Sequence, residues 1–528
     1  MKKNLIKLGI VVFVGAVIYY FLLPPLHLSS PLFWVYALLL FGFCLCLFTF
    51  KVDKKGDIFL ARYKPKKMLS TLWGGYFLLL VFPFVLLFIG SPLFNAKTYA
   101  NRITIVDADF KENVTGVDFN TLPLLDKDSS MKLGDRVMGQ MTDLVSQFTV
   151  SELYTQINYK DEIVRVTPLE YASVIKYFTN HKEGVKGYIV VNSVTGKANL
   201  VKLDKGMQYM PSALFSKDLY RHLRFSYPTK IFGPASFEID NDGAPYWIVP
   251  TYKYTFIGLK KEVNGVVILD PVTGESTFYK VKDVPTWVDH VYPADLIIDQ
   301  VDNHGLYQNG FFNSLFGQKG VTITTEGYNY TVLEDDVYLY TGITSVTNDE
   351  SILGFIMSNL RTKETKFYSA SGAKEESARK SAEGKVQQMS YTSTFPLLIN
   401  LNEKPTYFLS LKDNAGLVKM YAFVDVEDYQ NVVVSDASLG IEEAANNYLK
   451  NAPIISKNDE EETITIKEIK TAILDGLTFY YLIDTEENRY KVSIKVAPNS
   501  LPFIREGEEI KISYRKGDIR EITKIHTD

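Results

Sequence analysis

The sequence predicts a membrane-anchored multidomain protein: three transmembrane helices, an α+β repeat ectodomain, and a small C-terminal β-barrel of OB-like or SH3-like form. Three observations carry this expectation. Long apolar runs occupy the first 91 residues, a strand–turn–strand pattern recurs at a constant offset, and alternating strands crowd the end of the chain after an acidic stretch. With 528 residues, the chain exceeds one ordinary domain of ~100–200 residues, so several modules are expected. A net charge of -4 offers no basic surface to neutralise a phosphate backbone, which argues against a nucleic-acid partner. Cys44 and Cys46 both lie in an apolar run, leaving the polar remainder without disulfides and dependent on packed cores.

Residues 5–23, 32–50 and 69–89 are apolar over lengths that match a ~30 Å hydrocarbon core at 1.5 Å per residue. A cleaved signal peptide would be shorter and would be followed by polar chain instead of two further apolar runs. Orientation follows from retention of Lys and Arg on the cytoplasmic side. Lys2 and Lys3 precede the first run, and Lys51, Lys54, Lys55, Arg62, Lys64, Lys66 and Lys67 lie between the second and third. Residues 24–31, between the first and second, contain neither Lys nor Arg. The expectation is therefore a multi-pass protein of the cell membrane with a cytoplasmic N-terminus, a cytoplasmic basic loop at 51–68 and an extracytoplasmic chain after Gly90. Ionisable residues in mid-span mark transport paths, and their absence here favours a plain anchor in the lipid bilayer. Gly9, Gly15 and the Gly74–Gly75 pair allow close helix approach, hence homo- or hetero-oligomers through the spans.

In the ectodomain, VKGYIVVNSVTGKANLVKL at 185–203 and VNGVVILDPVTGESTFYKV at 263–281 match at a constant offset. Val185, Gly187, Val194, Thr195, Gly196 and Lys202 recur as Val263, Gly265, Val272, Thr273, Gly274 and Lys280. A third copy starts at Gly354, with Asn359 and Thr362 in place and Lys363 where the turn glycine would be. Asn or Asp followed by Thr-Gly supplies side-chain turn bonding and a residue that accepts positive φ, so each copy is a β-hairpin. Extended segments at 246–254, 337–342 and 406–411 add strands, while 373–386 and 441–450 are helical patterns rich in Ala, Glu and Lys. The unit is thus sheet plus helix. The segment GVVILDPVTGE at 265–275 resembles the PepSY type of extracytoplasmic bacterial module, and the resemblance implies a binding or inhibitory role.

The expected organisation is 1–91 for the spans, 92–180 for an N-terminal ectodomain segment, 181–450 for tandem α+β repeats, 451–462 for an acidic linker, and 463–528 for the barrel. The last carries a hairpin turn at Asp475-Gly476 and glycines at 507 and 517, and its 11 Lys and Arg balance 11 Asp and Glu. That balance removes the electrostatic funnel that single strands require.

Candidate chemistry is sparse. Glu238, Asp240, Asn241 and Asp242 ahead of Gly243 imitate a calcium loop, but Val249 stands where a bidentate carboxylate belongs, so a hairpin turn is expected. Ser377 with Lys380 and Ser513 with Lys516 match the Ser-x-x-Lys pattern of penicillin-recognising enzymes without its companion motifs. Trp287, Asp289 and His290, followed by Asp295, Asp299 and His304, form the densest acid–base cluster. A helix opening at Pro293 would put Asp295 and Asp299 on one face, and Asp289 with His290 is the catalytic candidate if a nucleophile converges on them. Glu375, Glu376 and Glu383 are expected on a solvated helix face with Lys374, Arg379 and Lys380. No cofactor or metal is implied. The expectation is a non-enzymatic envelope protein, bacterial or phage, that binds or scaffolds a protein partner or cell-wall polymer. Its alternatives are an extracytoplasmic peptidase or wall hydrolase using Asp289 and His290, and an accessory sensor subunit of a membrane complex.

Overall fold

A computed structural model describes residues 2–449 and 460–526, apart from 56–57, 64–66, 115, 120, 141–143, 334, 348–350, 475–476, 499 and 516–518. Three helices long and apolar enough to cross a membrane open the chain: α1 (Lys2–Leu22), α2 (Pro31–Thr49) and α3 (Lys67–Gly90). They pack antiparallel in sequence order. Tyr36 Oη donates to Gly15 O at 3.2 Å, and Trp73 Nε1 donates to Thr49 Oγ1 at 3.0 Å. A Cβ at Gly15 would touch Leu40, so this glycine is used within the chain, whereas a Cβ at Gly9, Gly74 or Gly75 would meet no described atom within 4 Å. The basic stretch between α2 and α3 forms two antiparallel strands, Phe50–Lys55 and Ile58–Tyr63, at the end of the bundle away from the large domain.

Four antiparallel sheets with one strand plan follow. In the first, two short strands, Phe148–Val150 and Thr155–Tyr159, both pair with the long strand Glu162–Tyr171. The chain then meanders through Val185–Asn192 and Ala198–Met207. The second sheet is built the same way around Pro245–Lys253 and Glu262–Leu269, the third around Asp336–Ser345 and Ser351–Asn359, and the fourth around Lys404–Lys412 and Val418–Asp425. A helix leads into each sheet: Lys127–Gly139, Leu219–Ser226, Ala294–Tyr307 and Glu375–Lys385. Residue 180, where a segment boundary was expected, ends the helix Val174–Asn180 that joins two strands of the first sheet.

The hairpin turns have the expected chemistry. Asn192 Oδ1 accepts from Val194 N and Thr195 N at 3.0 and 2.8 Å, Asp270 Oδ1 from Val272 N and Thr273 N at 2.7 and 3.3 Å, and Asn359 Oδ1 from Arg361 N and Thr362 N at 2.8 and 2.9 Å. Gly196, Gly274 and Lys363 then take positive φ of 72°, 83° and 66°. Lys363 bears the left-handed strain of a residue with a Cβ, while its Nζ meets Glu262 at 2.8 Å and Gln300 Oε1 at 3.2 Å across the junction with the second sheet.

Successive sheets share cores. Val267 and Leu269 pack toward the first sheet while Val266 and Ile268 pack toward the third. Leu339 and Ile356 face the second sheet, Tyr340 and Phe355 the fourth. A strand buried on both faces needs apolar residues at successive positions, which explains the unbroken run at 266–269.

A strap before the first sheet crosses the stack. Ile105–Ala108 pairs parallel with the edge strand Thr365–Ala373 of the third sheet. Val117 N then donates to Asn400 O at 2.9 Å and Asn400 Nδ2 to Val114 O at 2.7 Å in the fourth. Next, Ser410 Oγ donates to Leu124 O at 2.7 Å, Lys412 pairs with Asp126, and Leu124 N reaches Ser193 O of the first sheet at 2.9 Å.

The C-terminal unit is a closed five-stranded barrel with its own core of Ile464, Ile466, Leu482, Tyr490, Ile512 and Ile522. Its first strand, Glu460–Leu474, pairs with both Leu477–Asp484 and Glu509–Arg515, and a parallel contact between Arg489–Ser493 and Arg520–His526 closes the ring. Glu460, Glu461 and Glu462 thus belong to the barrel, not to the linker expected there. The rest of that linker at 451–459, the turn at Asp475-Gly476, Lys516 and Gly517 lie outside the described residues.

Candidate functional site

Asp289 and His290 of the expected acid–base cluster do meet, and Glu238, from the turn that imitates a calcium loop, joins them at a junction between sheets. Glu238 sits on the strand Ser236–Ile239, fully buried. Its Oε2 accepts from Asp289 N at 2.9 Å, and its Oε1 from His290 N at 3.1 Å and Ser236 Oγ at 3.0 Å. This carboxylate fastens the loop after the second sheet onto that sheet's edge strand. Asp289 Oδ2 accepts from Asn158 N at 2.8 Å, and His290 Nε2 lies 2.7 Å from Gln156 O, both on the first sheet. The His290 ring meets Tyr330 of the third sheet edge-on at 5.7 Å. Half-buried His290, bonded through Nε2 to a main-chain carbonyl beside a carboxylate 2% exposed, ties three sheets together.

Burial pushes Asp289 well above the usual carboxylate range, and the neighbouring Glu238 charge adds to it. Glu238 is raised by burial too, against the opposing pull of His290. Because the folded state binds these protons more tightly than the unfolded chain, the stability they contribute is full below the unfolded carboxylate pKa of ~4. It is lost as pH rises through the folded value. Asp289→Asn keeps an acceptor for Asn158 N without the charge. Its melting temperature should exceed that of the wild type at pH 8, and the difference should vanish toward pH 4 in a pH series of thermal scans.

The other members of the cluster go elsewhere. Asp295 and Asp299 share the exposed face of Ala294–Tyr307, as expected, but Asp299 pairs with Arg102 at 3.4 Å and His304 Nδ1 lies 2.9 Å from Ala100 O. Both hold the chain that descends from α3. Trp287 packs against Tyr246 with ring centroids 5.1 Å apart. Asp240 Oδ1 accepts from Asp242 N and Ala244 N at 3.0 and 2.9 Å, and Gly243 has φ 84°, the hairpin turn expected there. Ser513 is buried with Oγ 2.8 Å from His526 Nε2, and Lys380 pairs with Glu376 at 3.6 Å.

One expectation fails on the helix Glu375–Lys385. Glu375 is buried, with Oε1 accepting from Gly342 N at 2.8 Å, and Glu383 accepts from Ser393 N at 2.8 Å. The helix buries Ala378 and Ala382, and Glu375 lies on that same face one turn before Ala378, so it cannot remain in solvent. Among the described residues, no three of His, Cys, Asp and Glu are grouped to hold a metal ion.

An open site lies where the second and third sheets meet. A groove of about 740 Å³ is lined by Lys230, Lys280, Lys282 and Arg361, with Phe278 and Asn264 among the rest and no acidic residue. Lys230 Nζ stands 3.2 Å from the Phe278 ring centroid, and burial lowers its pKa. Arg361 is held by Asp336 at 2.6 Å, so among the described residues the three lysines carry the groove's unpaired positive charge. Sequence reading missed this group because its members come from separate loops, although Lys280 and Lys282 flank the end of the second hairpin. No protein-family model matches the chain and no curated protein is similar to it, so the likeness to PepSY modules rests on the hairpin motif alone.

Proposed function

We propose that the protein is a non-catalytic binding protein of a cell envelope, anchored by α1–α3 with its N-terminus in the cytoplasm and the chain after Gly90 outside. Its ligand is an anionic polymer such as a wall polyphosphodiester. The observation that carries this reading is the contrast between the acid–base groups, each engaged in bonds that hold the sheets together, and the open lysine groove. A low-dielectric groove wall raises the local concentration of opposite charge, and an ammonium over an aromatic face is already partly desolvated for ion pairing. The four sheets serve as tandem modules that frame such grooves at their junctions. The barrel's strand order, with its parallel closing pair, supports the OB-like form over the SH3-like one.

The test is binding of polyglycerol phosphate to the full chain in lipid nanodiscs. Substitution of Lys230, Lys280 and Lys282 by Glu should weaken it by at least about tenfold, equal to about 1.4 kcal/mol, and added salt should weaken wild-type binding. Equal binding by the triple variant and wild type sinks the reading.

A further inference from the structure

Resting on that membrane reading, we propose that the large domain lies against the outer leaflet on two apolar footings, one beside the end of α1 and the other beside the end of α3. Near α1, the helix Leu219–Ser226 packs on the last turn of the span. Arg221 lies 4.5 Å over the Tyr20 ring, and Phe225 meets Tyr19 with centroids 5.8 Å apart. From there the contacts run outward. Arg221 Nη1 donates to Phe215 O at 2.8 Å, and the Phe215 ring lies 6.3 Å from Phe178. Phe178 belongs to the short helix Val174–Asn180, whose Ile175 is 72% exposed.

The second footing starts at the other span. Tyr99 Oη donates to Gly90 O at 3.0 Å, Tyr99 meets Tyr307 at 6.1 Å, and Tyr307 stacks on Phe311 at 6.3 Å. This chain of rings leads to Phe312, Leu315 and Phe316, the last 81% exposed.

Each patch is thus joined by continuous contacts to the residues that close a span. Aromatic side chains concentrate at membrane–water interfaces, and contiguous apolar surface is unusual on a domain surrounded by water. Removing side chains such as Ile175 and Phe316 from water is favourable, and the acyl boundary beside the spans is the apolar phase within reach. The footings on opposite flanks of the bundle would fix the tilt of the domain and hold the lysine groove at a set height above the bilayer.

Nitroxide accessibility in phosphatidylglycerol vesicles tests this on the full chain. Native Cys46, exposed on α2, is labelled in a Cys44→Ser background as the reference for a span. Ile175→Cys, Phe316→Cys and, on the fourth sheet, Leu417→Cys are made with both native cysteines replaced by Ser. All three positions are already exposed, so the label displaces no packing. Collisions with oxygen should exceed those with a water-soluble nickel chelate at 46, 175 and 316, and the order should reverse at 417. Nickel-accessible labels at either 175 or 316 beside a lipid-exposed 46 overturn the footings alone. Labels at 175 and 316 shielded from both reagents assign the patches to a protein contact and overturn the proposal as well. A nickel-accessible 46 removes the membrane reading and the footings with it.

Discussion

Alanine at Gly354 is expected to destabilise the third sheet by about 2–4 kcal/mol, at the upper end of overpacking costs. A Cβ there would lie 2.2 Å from Tyr368 O and 2.7 Å from the Phe367 ring, at a bulge between Ile352 and Gly354. The carbonyl is part of the neighbouring strand and cannot rotate away, so relief requires strand separation. Gly265 stands in the same relation to Tyr279 O at 2.2 Å and Phe278 at 2.6 Å. At Gly187 the carbonyl of Val201 is farther, 2.9 Å, and the side chain above is Leu200. Thermal unfolding should therefore rank Gly354→Ala and Gly265→Ala well below Gly187→Ala in midpoint, with Gly187→Ala closest to wild type. Equal midpoints for the three would show that the sheets give way more easily than their backbone spacing implies.

The second large effect is expected at Arg224, the buried hinge between the span α1 and the second sheet. Its Nε donates to Leu23 O at 2.9 Å, and its Nη1 donates to Tyr227 O and Pro228 O, each at 3.3 Å, and to Lys230 O. The guanidinium also covers the Phe232 ring at 4.7 Å. Burial lowers its pKa to about 10, which leaves it charged at neutral pH. Arg224→Met keeps the bulk but removes the side-chain donor from Leu23 O and Lys230 O, each worth about 1–3 kcal/mol when left buried and unpaired, while Tyr227 O and Pro228 O keep the amides of Lys230 and Leu26. With partial rehydration, a loss of about 3–5 kcal/mol is expected. The damage should be local. Leu26 N donates to Pro228 O at 2.7 Å and Gly258 N to Ser29 O at 3.0 Å, so amide exchange at Leu26 and Gly258 should accelerate while the barrel amides keep wild-type rates. Arg224→Lys, with a single ammonium in place of the fork, should recover only part of the protection. Unchanged exchange at Leu26 would mean that the domain is held to the spans by other contacts.

What was legible in the sequence follows from the range of the forces involved. The three hairpins were readable because Asn192, Asp270 and Asn359 bond to amides two and three residues ahead, so the chemistry of the turn is written within the turn itself. The hairpin of the fourth sheet was not legible for the same reason, although its strand at 406–411 was. Asp425 Oδ1 still accepts from Glu427 N and Asp428 N at 2.8 and 3.2 Å, but the chain returns only at Asn431, and no Thr-Gly marks the place. The apolar helices were legible from composition alone. The acid–base cluster was legible as a density of side chains and not as a geometry. Its hub, Glu238, was noticed for a resemblance to calcium loops, whereas the informative signal was an acid inside the apolar strand Ser236–Ile239. The lysine groove and the burial of Glu375 depend on how separate elements pack, which local spacing does not encode.

The strap has a consequence for how the protein is made. Its bonds to Asn400, Ser410 and Lys412 join residues 286 positions apart in the chain. During synthesis the strap leaves the ribosome early, and its strand Ile105–Ala108 waits for Thr365–Ala373, its parallel partner, to emerge. The first sheet can form on its own hairpins, yet its seam with the fourth stays unfastened until translation is nearly complete. Contacts of such long sequence separation are slow to form, and an unpaired strand edge invites mispairing while it waits. Folding therefore passes through an interval in which the large domain has one loose strap, the stage at which a chaperone would have most to protect.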